Sequence, residues 1–191
     1  MEETLRQQSG NCLRIVLIGP ESTGKTTLAK KLAKAFQTLW VPEYMREYLQ
    51  KKWDEKGLRC TKEDLLNIAF GQMRLENERA PDAKTFLFCD TNLWELKIYS
   101  EYYYEGFCPP EIEIHSHKNK YDLYFLTDID VPWETDDLRD QPNDRSTLFR
   151  IFEETLQQQK LPYQVLTGTV QERMEIAIRT LRQMTYLKKD F

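Results

Sequence analysis

The chain has 191 residues, 30% of them charged, and a formal net charge of −4. That length supports one substantial core, and the mild acidity comes without a basic block, so nucleic acid is not an expected partner. No apolar run nears the ~20 residues of a bilayer span, and the polar start "MEETLRQQSGNC" has no apolar signal core, so neither a membrane nor export is expected and the predicted location is cytoplasmic.

Residues 1–12 read as an N-terminal tail and 13–191 as a single domain. Five short apolar runs predict strands: "LRIVLIG" (13–19), "TLWVPE" (38–43), "TFLFCD" (85–90), "DLYFLTD" (122–128) and "YQVLTG" (163–168). Several of them are nearly continuous in apolar character, as strands covered on both faces are. Helical spacing follows the first strand at Leu28, Leu32, Ala35 and Phe36. It recurs over 61–80, behind a Thr61/Asp64 capping pattern, then over 92–107, over 146–159 behind Asn143 or Asp144, and over 170–184. Strands alternating with helices predict an α/β fold on a parallel sheet, with ligands bound at the carboxyl ends of the strands. Cys12, Cys60, Cys89 and Cys108 are widely spaced without a CxxC, the pattern of reduced thiols rather than of a disulfide framework or a zinc site. His115 and His117 form "HSH" in a polar segment, read as a solvated loop in preference to a metal site.

Between the first strand and its helix, Gly19-Pro-Glu-Ser-Thr-Gly24-Lys25-Thr26 satisfies GxxxxGK[ST] at every fixed position. The glycines let the backbone turn tightly, so that its N–H groups converge on a phosphate at the positive end of the helix. The loop residues Gly19, Glu21, Ser22, Thr23, Gly24, Lys25, Thr26 and Thr27 are therefore expected to hold the polyphosphate of ATP. Lys25 is expected to reach the β- and γ-phosphates, and the Thr26 hydroxyl to take a place on Mg²⁺. The string "NKYD" at 119–122 precedes its strand, whereas a guanine-reading motif would follow one, so a GTPase is not indicated. The chain also lacks the extra regions expected of a ring-forming AAA+ motor or a helicase, which leaves a small kinase or a nucleotide switch.

A kinase needs a carboxylate near the attacking hydroxyl, an acid for the magnesium shell and mobile cations for the transferring phosphoryl group. Glu43 ends the second strand and Asp90 the third; Asp90, together with Thr26, is the expected metal ligand. Arg139 and Arg145 lie in a polar, Pro-containing loop, expected to be a lid over about 131–146. Gly168 is placed to let the backbone approach an adenine. Arg46, Asn92 and Trp94, with Glu43 and Asp90, are the candidates for binding the acceptor, Trp94 by stacking. Gln72 and Arg74 flank that side on the 61–80 helix.

The stretches "GPESTGKTTLAKKLA", "VPEYMREYL", "FCDTN", "YDLYFLTDIDVPWETDDLRD" and "DRSTLFRIFEETL", in that order, resemble the ribosylnicotinamide kinase domain of NadR-type proteins. The resemblance implies a three-layer P-loop fold of the nucleoside-monophosphate-kinase type, with a five-stranded parallel sheet, helices on both faces and a lid. It implies transfer of the γ-phosphate of ATP to the 5′-hydroxyl of nicotinamide riboside, giving nicotinamide mononucleotide. No HxGH-type motif and no helix-turn-helix region are present, so a stand-alone kinase domain is expected. Another nucleoside or nucleotide kinase, or a P-loop ATPase acting as a regulatory switch, remain the alternatives on sequence.

Overall fold

The structure is a computed structural model that describes residues 4–133 and 144–187. Its elements run β1 (Leu13–Ile18), α1 (Lys25–Ala35), β2 (Leu39–Val41), α2 (Tyr44–Lys56), a 3₁₀ turn (Lys62–Asp64), α3 (Leu65–Arg79), β3 (Phe86–Asp90), α4 (Leu93–Tyr103), α5 (Pro110–Lys118), β4 (Leu123–Thr127), α6 (Arg145–Gln158), β5 (Tyr163–Leu166) and α7 (Val170–Leu187). The strands form one parallel sheet in the order β2-β3-β1-β4-β5.

Each predicted apolar run contains one of these strands. Because side chains alternate along a strand, one run supplies two cores. Val16, Ile18, Leu87, Cys89 and Leu126 pack on one face against Ile98 and Tyr99 of α4 and Leu148 and Phe152 of α6. Ile15, Leu17, Phe86, Phe88 and Phe125 pack on the other against Leu28 and Leu32 of α1 and Ala177 and Leu181 of α7. Each fully buried Leu, Ile or Phe contributes about 1.5–3 kcal/mol. The sheet is therefore a rigid base, and its carboxyl edge presents the P-loop, Glu43, Asp90 and the exits of β4 and β5 together.

Two helices depart from the sequence reading. The α2 helix follows the Glu43 corner directly, and none of its residues is fully buried. Its apolar positions, Met45, Leu49 and Trp53, form a single narrow stripe that the strong charge of "REYLQKKWDEK" obscures. The α5 helix takes in His115 and His117, expected in a loop. Its signals were Pro110 at the first turn, Glu111 and Glu113 near the N-terminus and His and Lys in the last turn, which suit the helix dipole. The Thr61/Asp64 capping box is formed, opening the 3₁₀ turn that leads into α3.

The tail ahead of β1 is anchored at Leu5 and Cys12, with mostly exposed residues between them. Leu5 is buried among α3, α4 and α5, and Gln8 N–H donates to Asn77 Oδ1 at 2.8 Å. Asn119 caps this region by donating to Leu5 C=O at 3.0 Å. It lies just before β4, at the sheet edge opposite the P-loop, so "NKYD" is far from any nucleotide held there. The thiols of Cys12 and Cys89 are buried, and those of Cys60 and Cys108 half-buried; all four are free. Most of the expected lid, 134–143 with Arg139, lies outside the described residues. Among the described residues no helix is long and apolar enough to cross a membrane.

Candidate active site

The P-loop leaves β1 at Gly19 and enters α1 at Lys25. Gly19 has φ +140°, and a Cβ there would stand 2.8 Å from Thr127 Oγ1, so only glycine lets the loop turn this close to β4. Gly24, at φ +84°, is the left-handed residue that turns the loop into the helix. Thr23 Oγ1 donates to Pro20 C=O at 2.7 Å and lies 2.7 Å from Thr127 Oγ1, which stiffens the turn from inside. Lys25 folds back along the loop: its Nζ donates to Gly19 C=O at 2.6 Å and to Pro20 C=O at 3.0 Å.

The third partner of Lys25 is Glu95, in the first turn of α4, with Oε1 3.2 Å from Nζ. Its other oxygen accepts from Gly19 N–H at 3.3 Å. Glu95 is 2% exposed. A carboxylate thus occupies the lysine and a loop amide that would otherwise serve a phosphate oxygen. The sequence reading passed over Glu95; its signal was an acid at the ligand end, five residues beyond Asp90.

Asp90 is fully buried beneath Thr26, whose Oγ1 donates to Asp90 Oδ2 at 2.5 Å. The other oxygen, Oδ1, is buried with no hydrogen-bond partner. Burial, then the charge of Glu43, pushes the Asp90 carboxyl up to about 7. A threonine hydroxyl paired with an acid that has an unused oxygen is the donor set a hard divalent cation takes. Those residues fit Mg²⁺. Asp90 does not itself line the open cleft, so direct contact with an acceptor is not available to it here.

Burial also pushes the Glu95 carboxyl up, to about 8, with Lys25 opposing and Glu43 and Asp90 adding to the rise. The sign follows from proton counts. The unfolded chain releases the Glu95 proton near the ordinary value of ~4.3, while the folded chain holds it. Folding stability should therefore fall as the pH rises from about 5 to about 8. Glu95→Gln should flatten the upper part of that slope in thermal unfolding at stepped pH; an unchanged slope would show that Glu95 does not carry it.

Glu43 stands at the corner between β2 and α2 and lines a cleft of about 910 Å³. One end of the cleft is the P-loop from Glu21 to Thr27, with Val131, Pro132, Val170 and Arg173. The other end lies between α2 and α4, where Trp53, Tyr99, Tyr103 and Tyr104 are the aromatic lining and Arg46 and Arg59 add charge. Tyr99 and Tyr103 are stacked, with ring centroids 5.9 Å apart. The stacking expected of Trp94 has no place in this geometry. Trp94 is 3% exposed, does not line the cleft and packs edge-on against the His117 ring at 4.6 Å. Asn92 is the N-cap of α4, accepting from Trp94 N–H at 3.1 Å, and also stands outside the cleft. Both residues belong to the helix start that aims Glu95.

On the nucleotide side, Arg145 opens α6; its Nη1 donates to Val131 C=O at 3.0 Å and its Nη2 to Ser22 C=O at 3.4 Å. These two bonds place it on the loop. Arg173, absent from the sequence reading, is 1% exposed. It donates to Thr23 C=O at 2.6 Å, Gly168 C=O at 2.9 Å and Asp128 C=O at 3.0 Å, and pairs with Asp130. One guanidinium ties the P-loop to the exits of β4 and β5. Gly168, at φ +86°, has its N–H on Asp130 and its C=O on Arg173, and does not line the cleft.

Known proteins share the fold that carries this site. A trifunctional NAD biosynthesis/regulator protein, NadR of Salmonella typhimurium, is 26% identical over 151 residues, covering 78% of this chain and 37% of that protein. The chain thus spans little more than a third of the length of the curated relatives it matches. A NadR protein in complex with NR superposes with a TM-score of 0.66 at 21% identity, over 83% of this chain and 44% of that one. A NadR complex with NAD and AMP-PNP gives 0.71 at 20% identity, over 91% and 49%. Deoxyadenosine kinase from M. mycoides gives 0.64 at 15% identity, over 90% and 100%. The fold is that of the P-loop kinases. A family model described as an AAA domain matches residues 14–173, from the first strand of the sheet to the arginine that braces its phosphate loop. The chain belongs to that AAA-domain family, as a P-loop domain homologous to part of NadR.

Proposed function

We propose that the chain is an ATP-dependent kinase that phosphorylates the 5′-hydroxyl of nicotinamide riboside. The observation that carries this is a single cleft lined by a phosphate loop at one end, by aromatic side chains at the other and by the Glu43 carboxylate. The aromatic end suits a flat, cationic ring. The relation to NadR, and the fold shared with its complex with NR, support the same acceptor. Thr26 and Asp90 would hold Mg²⁺, which supplies charge neutralisation on the phosphates. Lys25 leaves Glu95 and the loop carbonyls to meet the β- and γ-phosphates. Glu43 takes the proton of the 5′-hydroxyl as its oxygen bonds to the γ-phosphorus. The bond from that phosphorus to the bridging oxygen breaks, and ADP leaves. Arg145, already on the P-loop, and Arg139 steady the transferring group.

The test is ADP release with Mg·ATP against nicotinamide riboside, common nucleosides and nucleoside monophosphates. Strong stimulation by nicotinamide riboside, with nicotinamide mononucleotide found by mass, is the expected result. Arg145→Ala should then lower kcat by about 100-fold while changing the KM for ATP much less. A larger effect on KM would make Arg145 a nucleotide-binding residue only. A second reading rests on Arg46 and Arg59, which line the acceptor end and would suit an anionic acceptor. Stimulation by a monophosphate instead would establish that reading. Hydrolysis indifferent to every acceptor would favour a nucleotide switch.

A further inference from the structure

Glu43 does not anchor itself. It is the N-cap residue of α2, yet its side chain makes no capping bond and lines the cleft instead. The backbone on either side of it is held from α3. Gln72 Oε1 accepts from Tyr44 N–H at 2.8 Å, and Gln72 Nε2 donates to Pro42 C=O at 3.3 Å. Two bonds from one amide thus bracket Glu43, and the amide is 4% exposed. Tyr44 N–H is among the first-turn donors that a helix cannot satisfy internally, so the glutamine replaces the cap that Glu43 does not provide. The neighbouring residue adds a second hold. A Cβ on Gly71 would stand 1.9 Å from Tyr44 Cε1, so the Tyr44 ring lies directly on the bare backbone of α3. The Arg74 guanidinium lies 5.8 Å from the centroid of the same ring.

We propose that Gln72 is the positioning residue of the phosphoryl-acceptor site: it sets where the Glu43 carboxylate stands relative to the P-loop. The inference rests on the reading of Glu43 as the group that meets the acceptor hydroxyl. A glutamine inside a helix would otherwise serve only the fold, and the two roles have different signatures. A fold role lowers stability and affects every background alike; a positioning role acts through Glu43 and vanishes with it.

The experiment is a double-mutant cycle of Gln72→Met, which keeps length and volume but neither bond, with Glu43→Gln. In the wild-type background Q72M should lower kcat with the acceptor by about tenfold or more, since a ~1 Å misplacement is enough for that. The KM for ATP should stay within about twofold. In the E43Q background Q72M should leave kcat unchanged, while the melting temperature falls equally in both. An equal kcat loss in both backgrounds would overturn the proposal. Should Q72M fail to fold, Gln72→Asn carries the same cycle, because it keeps the amide but shortens its reach. A crystal structure of the variant separates this inference from the kinase reading. A Glu43 carboxylate displaced by ~1 Å or more supports it even where no acceptor is phosphorylated, and an unmoved carboxylate overturns it whatever the acceptor.

Discussion

Lys25→Ala is expected to abolish nucleotide-dependent turnover and leave the protein folded. The lysine is the mobile cation of the P-loop, held in reserve by Glu95 and two loop carbonyls. Its charge counts most where the phosphoryl group is in transit, and the lysine is itself buried at the base of the cleft, so its loss should lower kcat by about 1,000-fold or more. Removing one partner of a buried ion pair usually destabilises a fold, because the other charge is stranded. Here the stranded partner is Glu95, whose carboxyl burial already pushes up to about 8. Without Lys25, burial and the charges of Glu43 and Asp90 favour the protonated acid against the one long bond from Gly19 N–H, so the site neutralises itself instead of unfolding. Turnover with saturating acceptor, set beside thermal unfolding of the same sample, checks both halves. Near-normal turnover would sink the mechanism. Loss of the fold would mean that Glu95 keeps its charge.

Asp90→Asn should produce the second large loss. The asparagine keeps an oxygen to accept from Thr26 but has no charge to offer a divalent cation. Turnover at ordinary magnesium should fall by about 100-fold to 1,000-fold, with partial recovery as magnesium is raised. The fold should be unharmed or more stable, since the substitution removes a buried carboxylate with an unpartnered oxygen. A variant that turns over normally at low magnesium would take Asp90 out of the metal site and leave it as a brace for Thr26.

Much of this site could be read from sequence because its parts are fixed by local chemistry. A strand that ends in a glycine-rich turn and a Lys-Thr helix start can do little except gather phosphate, so Gly19 to Thr27 were legible. Glu43 and Asp90 were legible because each terminates an apolar run, and a parallel sheet brings all such ends to one edge. What escaped was decided by rotation around α4. Trp94 and Glu95 are adjacent, so one faces the core and the other the cleft. The helical pattern favours the aromatic for the ligand and the acid for solvent, whereas packing against His117 and Lys25 reverses both. Arg173 escaped for a different reason. Its partners are the carbonyls of Thr23, Gly168 and Asp128, and backbone acceptors leave no mark in a sequence. The α2 helix was hidden because its apolar stripe is narrow and only half-buried, with Met45 and Leu49 on the rim of the core and Trp53 on the cleft.

That last feature separates two properties that most helices combine. The strands and their flanking helices carry the burial that keeps the chain folded, while α2 contributes no fully buried residue and still forms one wall of the acceptor end. Substitutions at Trp53, which lines the cleft and packs on no core cluster, are therefore free to reshape what the cleft admits with little penalty in folding, as long as the Pro42–Tyr44 corner is kept, whereas Met45 and Leu49 also pack on the core. A lineage built on this scaffold could change its acceptor by drift along a single helix, with its phosphate chemistry untouched.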